Sequence, residues 1–412
     1  MTLSPPVPST PRGRAAPLKQ LAVQRFRSLR DFVWSPGPIS VLIGENASGK
    51  SNVLSALEFL SRSAEGTLRD CVEEWGGAHR LAWAGLPEPM EFRVELGDPL
   101  GDPMDTHPDL GLQYELRLRP VGDSGDYRIV SERLIHTFRD ITDAVVEEAE
   151  PLAWADTGRE PQVLRETLLS RLGPDRGADA AIRELQQQMR GWRRFASFRT
   201  DHRRRASEGA PVRRAADSAG ERLLDGDGAN LVNVLDTLLR ESDRFHDDMH
   251  QALEAAFPDR FDGLEVSNAN GVSRLQVRWK GLRVPQSGAE LSDGTLRFVF
   301  LCAALAHPEP PSVIAIDEPE TSLHPRMLPI LAELAQDVSR KSQVIIATHS
   351  ESVLDAFQGC GAQPHVVSSD DQGTSIRPVD PVELEFWLRE YSLGELFRTN
   401  RLEHLATAEL DL

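Results

Sequence analysis

Apolar residues recur along the chain in short blocks, and the spacing inside each block separates strands from helices. LAVQRF alternates and reads as a strand, within an ordered region that starts at Leu18. SVLI is a short buried strand, and SNVLSALEFL places Val53, Leu54, Leu57, Phe59 and Leu60 at helical spacing. EFRVEL, LQYELRLRPV and YRIVSERL alternate as antiparallel strands do. Residues 140–220 are rich in Ala, Glu, Arg and Gln, with runs such as PQVLRETLLSRL and AAIRELQQQMRGW, and predict a helical insertion. NLVNVLDTLLRE begins a further helix, and SRLQVRWKGLRV returns to strand. Thr295 to Ala306 reads as a core helix, SVIAIDE as a buried strand, MLPILAELAQDV as a helix and SQVIIATHS as another buried strand. HVVSS and TSIRPV suit a closing hairpin, and the chain from Pro381 onward is mostly helical in pattern. Strands interleaved with helices in this order predict an α/β fold with a mixed β core.

Composition narrows the function classes. The formal net charge is −18, so a protein that wraps duplex DNA over most of its surface is excluded and any nucleic-acid contact must be local. Cys71, Cys302 and Cys360 are far apart and none forms C-x-x-C, which argues against a disulfide framework or a thiolate zinc site and for a cytoplasmic location. No apolar run approaches the roughly 18–20 residues of a membrane helix. Residues 1–17 are rich in Pro and Ser and suggest a disordered leader.

Four segments carry chemistry. In GENASGKSN, glycines flank four residues and are followed by Lys and Ser, between a strand and a helix. That context makes a phosphate loop: backbone N–H groups of Gly44, Glu45, Asn46, Ala47, Ser48, Gly49 and Asn52 surround an anion at a helix N-terminus. Lys50 is expected to reach the β- and γ-phosphates, and the Ser51 hydroxyl to ligate Mg²⁺. Only four lysines occur in the chain, and one stands where the loop requires it. In VIAIDEPE, Asp317 and Glu318 emerge from a buried strand, a costly place for two carboxylates unless a cation or substrate uses them. Asp317 suits a Mg²⁺ partner and Glu318 the base that orients the attacking water. His349 ends the buried strand SQVIIATHS, where a γ-phosphate sensor would sit. In AELSDGTLR, Ser292, Asp293 and Gly294 precede a helix and form a second anion site. One ATP needs one phosphate loop, so the second nest makes sense if it serves a nucleotide held by another copy.

The order GENASGKS, ELSDGTLR, VIAIDEPETSLHP, IIATHS resembles the ABC-type ATPase superfamily, in its RecF/OLD/SMC-like branch rather than its membrane transporters. The resemblance covers about residues 18–62 and 287–352, with a weaker echo at AGERLLDGDGANLVNVL. It identifies these segments as Walker A, signature, Walker B with its D-loop, and switch histidine. It implies a head-to-head homodimer with two ATP molecules in the interface and a possible higher oligomer. Ser292 and Gly294 of one copy would touch the γ-phosphate at Lys50 of the other, with Pro319, Glu320, Thr321, Ser322 and Leu323 as D-loop. It also implies a division into a Walker A lobe (18–139), a helical lid (140–220), a lobe with signature, Walker B and switch histidine (221–385), and a C-terminal helical segment (386–412). The chain departs from the family pattern at Ala47, where Gly is usual, and at LSDGT, where LSGGQ is usual. Gln113 and Gln186 to Gln188 are candidates for the Q-loop glutamine by position alone.

The segment between the two motif groups is too short for an SMC coiled-coil arm and suits the compact lid of RecF-like and OLD-like ATPases. Too few residues follow His349 for a TOPRIM nuclease domain, so no nuclease is expected in this chain. The stretch from Arg190 to Arg205 holds seven arginines and three aromatics, which leaves three readings. It contacts DNA through Arg193, Arg194, Arg199, Arg203, Arg204 and Arg205, packs a helix through Trp192, Phe195 and Phe198, or docks an acidic partner. The expected function is an ATP-hydrolysing dimeric switch, the sensor subunit of a prokaryotic anti-phage defence or genome-maintenance system with a separate effector. The alternatives are a RecF-like repair ATPase that loads factors on DNA and a weakly hydrolysing, ATP-bound scaffold.

Overall fold

The computed structural model describes residues 16–97, 111–122, 125–138, 141–146, 165–171, 180–196, 216–217, 220–269 and 272–406. In chain order the strands are β1 (Leu18–Phe26), β2 (Leu29–Trp34), β3 (Ile39–Ile43), β4 (Met90–Gly97), β5 (Gly111–Val121), β6 (Asp126–Phe138), β7 (Ile141–Val146), β8 (Arg193–Phe195), β9 (Ala216–Asp217), β10 (Phe261–Ala269), β11 (Val272–Trp279), β12 (Gln286–Ser287), β13 (Val313–Asp317), β14 (Gln343–Thr348), β15 (Gln363–Asp370) and β16 (Gly373–Pro378). They form three sheets. An antiparallel sheet runs β2-β1-β4-β5-β6-β7, and a smaller one runs β10-β11-β12 with β9 beside β11. The central sheet runs β16-β15-β3-β14-β13-β8. Its strands from β15 to β8 are all parallel, and β16 is an antiparallel edge.

Strand alternation explains how the central sheet separates two cores. Ile39, Val41, Ile43, Ile314, Ile316, Val344 and Ile346 face one side, with helices Leu231–Glu241, Asp243–Ala256, Asp293–Leu305 and Leu328–Val338. Leu42, Val313, Ala315, Ile345 and Ala347 face the other, with helix Lys50–Glu65 and the antiparallel sheet. A slip of one residue in any of these strands would exchange the two sets, so the register is fixed by burial on both faces. On the second side Phe59 stacks on Phe92 at 4.8 Å between ring centroids, and Phe26 meets Phe92 edge-on at 5.2 Å. Helix Asp293–Leu305 is buried on every residue from Thr295 onward, as its apolar run from Phe298 requires, with Arg297 buried among them.

Two expectations change and a third is extended. Ala16 and Pro17 already pack: Ala16 is buried, and the Pro17 carbonyl accepts the Gly97 N–H at 2.7 Å. The rest of the proposed leader lies outside the described residues. Within 140–220, the described parts hold helices Leu168–Arg171 and Ala180–Arg190, but also β7, β8 and β9. β8 lies parallel beside β13, so this part of the expected lid completes an edge of the central sheet. The expected closing hairpin also does more than close: β15 pairs with β3 and flanks the phosphate loop. Beyond it, helices Pro381–Trp387, Leu393–Arg398 and Arg401–Leu405 return Leu393, Leu396 and Leu402 to the first core.

His365 on β15 is buried edge-on to Trp34, with ring centroids 5.8 Å apart, and Nδ1 lies 3.1 Å from the Gln363 carbonyl. Burial pulls its pKa from 6.5 down to about 4. The unfolded chain therefore takes up a proton near 6.5 that the folded chain refuses until about 4. This contribution to stability is complete above pH 6.5, is lost as pH falls, and costs about 2 kcal/mol by pH 5. Urea unfolding at pH 7 and pH 5 should show that loss in the native chain and a smaller loss in His365→Gln; equal losses would remove His365 as the source.

Candidate functional site

Because β3, β14 and β13 are adjacent and parallel, their C-terminal ends lie side by side. Ile43 pairs with Thr348 and Asp317 with Ala347, so three distant segments end at one place. This is the usual position of a ligand site in a parallel sheet, beyond the carboxyl ends of the strands.

Beyond β3 the chain turns through Gly44 to Gly49 into helix Lys50–Glu65. A Cβ on Gly44 would meet the Val367 carbonyl at 2.1 Å, and one on Gly49 would meet Thr374 Oγ1 at 2.0 Å. Gly49 also has φ 102°, a left-handed conformation suited to glycine. The loop is held from behind by a relay. Asn52 Nδ2 donates to Ser28 Oγ at 2.7 Å, Ser28 Oγ pairs with Thr374 Oγ1 at 2.7 Å, and Thr374 Oγ1 donates to the Ser48 carbonyl at 3.3 Å. Lys50 is buried, and its Nζ donates to the carbonyls of Gly44 at 2.7 Å and Glu45 at 2.8 Å. Burial draws its pKa below the ordinary lysine value, while Glu318, Asp317 and Glu320 oppose that shift. A buried ammonium whose hydrogen-bond acceptors are mainly neutral carbonyls of its own loop fits a bound anion; the Asn52 N–H, expected to face that anion, is instead bonded to the Gly49 carbonyl at 2.9 Å.

Facing this loop, Asp317 accepts the Ser51 hydroxyl on Oδ1 at 3.2 Å and Arg194 Nη2 on Oδ2 at 2.8 Å. Glu318 stands at φ 48°, with its N–H bonded to the Ala347 carbonyl at 2.8 Å. His349 Nδ1 lies 3.3 Å from Glu318 Oε1 and 3.7 Å from Glu320 Oε1. Glu320 also accepts the Thr348 hydroxyl at 2.7 Å, and its other oxygen is buried without a hydrogen-bond partner. Such a set could orient a water against a phosphoryl group and hold the proton it releases. Ser51 and Asp317 could hold Mg²⁺ together with phosphate oxygens and water. Among the described residues no three His, Cys, Asp or Glu side chains are arranged to hold a metal by themselves.

Ser292 and Asp293 are exposed at the start of helix Asp293–Leu305, and Ser292 Oγ accepts the Thr295 N–H at 3.1 Å. A Cβ on Gly294 would come within 2.4 Å of the Ser322 carbonyl, so this turn packs directly on the turn that follows β13 in its own chain. From the same helix, buried Arg297 donates Nη2 to the carbonyls of Glu318 at 2.8 Å and Asp317 at 3.3 Å.

Thus Lys50, Ser51, Asp317, Glu318 and His349 come together. The glutamine candidates do not join them: Gln113 lies in the antiparallel sheet and donates to Glu115, Gln186 donates to the Leu169 carbonyl and Gln188 to Glu184. Of the six arginines considered for DNA, Arg199, Arg203, Arg204 and Arg205 lie outside the described residues. The other two are engaged internally, Arg193 with Glu65 at 3.0 Å and Arg194 with Glu58 and Asp317. Those two are engaged in part-buried ion pairs within the chain. Sequence reasoning missed Arg194, Arg297, Ser28 and Thr374. A charged residue within an apolar helical run was a signal for Arg297, and a pair of arginines between Trp192 and Phe195 was one for Arg194.

The sequence matches the family model described as "AAA domain, putative AbiEii toxin, Type IV TA system" over residues 39–355. Among solved structures it is similar to the SmcHead bound to the C-winged helix domain of ScpA, with 15% identity, 90% of this chain and 99% of that one covered, and a TM-score of 0.54. It is also similar to the Smc head domain with an extended coiled coil bound to the C-terminal domain of ScpA from Pyrococcus furiosus, with 12% identity, 91% and 99% covered, and a TM-score of 0.53. No curated protein gives a significant match. The likeness to these Smc heads is one of fold, a mixed α/β architecture.

Ala47 occupies the left-handed region at φ 66° with its side chain exposed. An L-residue there costs about 1–2 kcal/mol, of which glycine would return about 0.4–1 kcal/mol as unfolded-state entropy. Ala47→Gly should therefore leave urea stability unchanged or raise it by up to about 1.5 kcal/mol. A loss of 1 kcal/mol or more would instead mean that the Ala47 methyl makes a stabilising contact.

Proposed function

The chain belongs to the AAA-domain family that its sequence matches, and on that premise we propose that it is an ATP-hydrolysing, Mg²⁺-dependent dimeric switch that serves as sensor subunit to a separate effector. One observation carries this reading: a phosphate loop and a Glu318–His349 pair share the tips of three adjacent strands, while Ser292 and Asp293 of the signature turn are exposed. An exposed anion nest built on a site's own D-loop suits completion by a second copy.

In this reading the loop N–H groups and Lys50 bind the phosphates of ATP. Ser51 and Asp317 would hold Mg²⁺, which when bound would neutralise charge on the phosphates. Glu318 orients the attacking water and accepts its proton, and His349, with Nδ1 3.3 Å from Glu318 Oε1, positions that carboxylate. Ser292 and Gly294 of the opposite copy close on the γ-phosphate. The family description names a putative toxin of a type IV toxin–antitoxin system, which supports a place in a two-component defence system. The two Smc heads are each bound to a ScpA domain, which supports docking of a second protein on a head of this fold. No helix among the described residues is long and apolar enough to cross a membrane.

Glu318→Gln separates a switch reset by hydrolysis from a static scaffold. Turnover should fall by about 10²–10⁴-fold, ATP should stay bound, and native mass measurement should show an ATP-dependent dimer that persists. If turnover and assembly size match the native chain, Glu318 is not the base and the reset by hydrolysis is wrong.

A further inference from the structure

We propose that Arg194 is a positioning residue that sets the metal requirement of this site, by occupying the Asp317 carboxylate until Mg²⁺ takes its place. The proposal rests on the reading of Ser51 and Asp317 as the magnesium residues. Both Asp317 oxygens are engaged by donors of the chain, Oδ1 by the Ser51 hydroxyl at 3.2 Å and Oδ2 by Arg194 Nη2 at 2.8 Å. Ser51 is itself a metal residue in this reading, so Arg194 is the group that must yield. A guanidinium and a divalent cation on one carboxylate repel each other strongly in a site this dry, where the Arg194 and Asp317 side chains are 15% and 11% exposed.

Arg194 has a second place to go. Its Nη1 already donates to Ser55 Oγ at 2.9 Å and Glu58 Oε2 at 3.1 Å, both on helix Lys50–Glu65. Its Nε is buried without a hydrogen-bond partner, so the present arrangement leaves one donor unsatisfied and a rearranged one has a bond to gain. The backbone cannot follow. β8 is paired in register with β13, Ala315 opposite Arg194, and Gly226 lies so close that a Cβ there would come within 2.1 Å of the Arg194 carbonyl. The exchange is therefore a side-chain movement, with Glu58 and Ser55 as the fixed anchor. Arg27 also donates to Ser55 Oγ at 2.8 Å, so a second guanidinium bounds how far Arg194 can retreat.

The test is Mn²⁺ binding to the full chain saturated with ADP, read by electron paramagnetic resonance of free Mn²⁺. Arg194→Gln should bind Mn²⁺ about tenfold tighter. Arg194→Lys keeps the charge but loses the fork that spans Asp317 and Glu58, and it should be tighter by about threefold. Circular dichroism confirms that each variant is folded, and the lysine variant is the fallback should the glutamine variant not be. Affinity equal to or weaker than the native chain's in the folded variants overturns the proposal. Tightening in Arg194→Gln alone also overturns it, because that outcome reports charge and not occupancy of the carboxylate. Asp317→Asn is measured alongside: if it leaves Mn²⁺ affinity unchanged, the magnesium reading itself is wrong, and the two failures are told apart.

Discussion

A carboxylate at the end of a strand buried over its whole length has to be compensated, and in this molecule the compensation organises the site. Asp317 closes β13, every residue of which is buried. Its partners come from three separate parts of the chain: Ser51 from the phosphate-loop helix, Arg194 from β8, and Arg297, which holds the Asp317 carbonyl from the signature helix. Removing one partner of a buried ion pair typically costs about 3–5 kcal/mol, because the other charge is left uncompensated. The helix that carries Lys50 and the strand that carries Glu318 are thereby locked in relative position before any nucleotide arrives. That is preorganisation, and it lets a phosphate meet fixed donors instead of having to order them.

The same site holds backbone in conformations that cost energy. Ala47, Glu318 and Ser322 are non-glycine residues at φ 66°, 48° and 64°. Each lies in a segment read as touching nucleotide or the second copy, and each carries a cost on the order of 1–3 kcal/mol. The surroundings sustain it. The Glu318 N–H is tied to Ala347 across the sheet, and the Ser322 carbonyl is pressed against Gly294, where no side chain would fit.

Much of this was legible in the sequence, for physical reasons that also explain what was not. The buried strands SVLI, VIAID and QVIIAT declare themselves because burial on both faces leaves continuous apolar runs. The phosphate loop declares itself through glycines that the backbone demands, Gly44 and Gly49 having no room for a side chain. β8 was invisible because three residues cannot display a period of two, and its sequence, Arg-Arg-Phe, looks like surface. The reason it is not surface lies more than a hundred positions away, in Asp317 and in the helix that carries Glu58. Thr374 was missed likewise: a threonine in an alternating strand carries no sign that the turn between β1 and β2 and the Ser48 carbonyl meet at its hydroxyl. Local pattern shows which residues are inside, and long-range charge and hydrogen-bond partners appear only when the chain is folded.

The contacts also run onward from the site to the surface. Arg297 joins the Glu318 carbonyl to helix Asp293–Leu305, and Gly294 joins the start of that helix to the D-loop. The helix is buried from Thr295 to Leu305 and close-packed, so it transmits a displacement instead of absorbing it. Its exposed end carries Ser292 and Asp293. A route alone does not make coupling; an element with two arrangements is needed as well. Glu318 is the strained point on this route: its left-handed backbone is costly, and its N–H tie to the Ala347 carbonyl holds it there. A change at Glu318 would shift the carbonyl that Arg297 holds, and with it the end of the helix that a second copy meets. Asp317, one residue earlier on the same buried strand, sets its contacts with Ser51 and Arg194 directly beside that carbonyl.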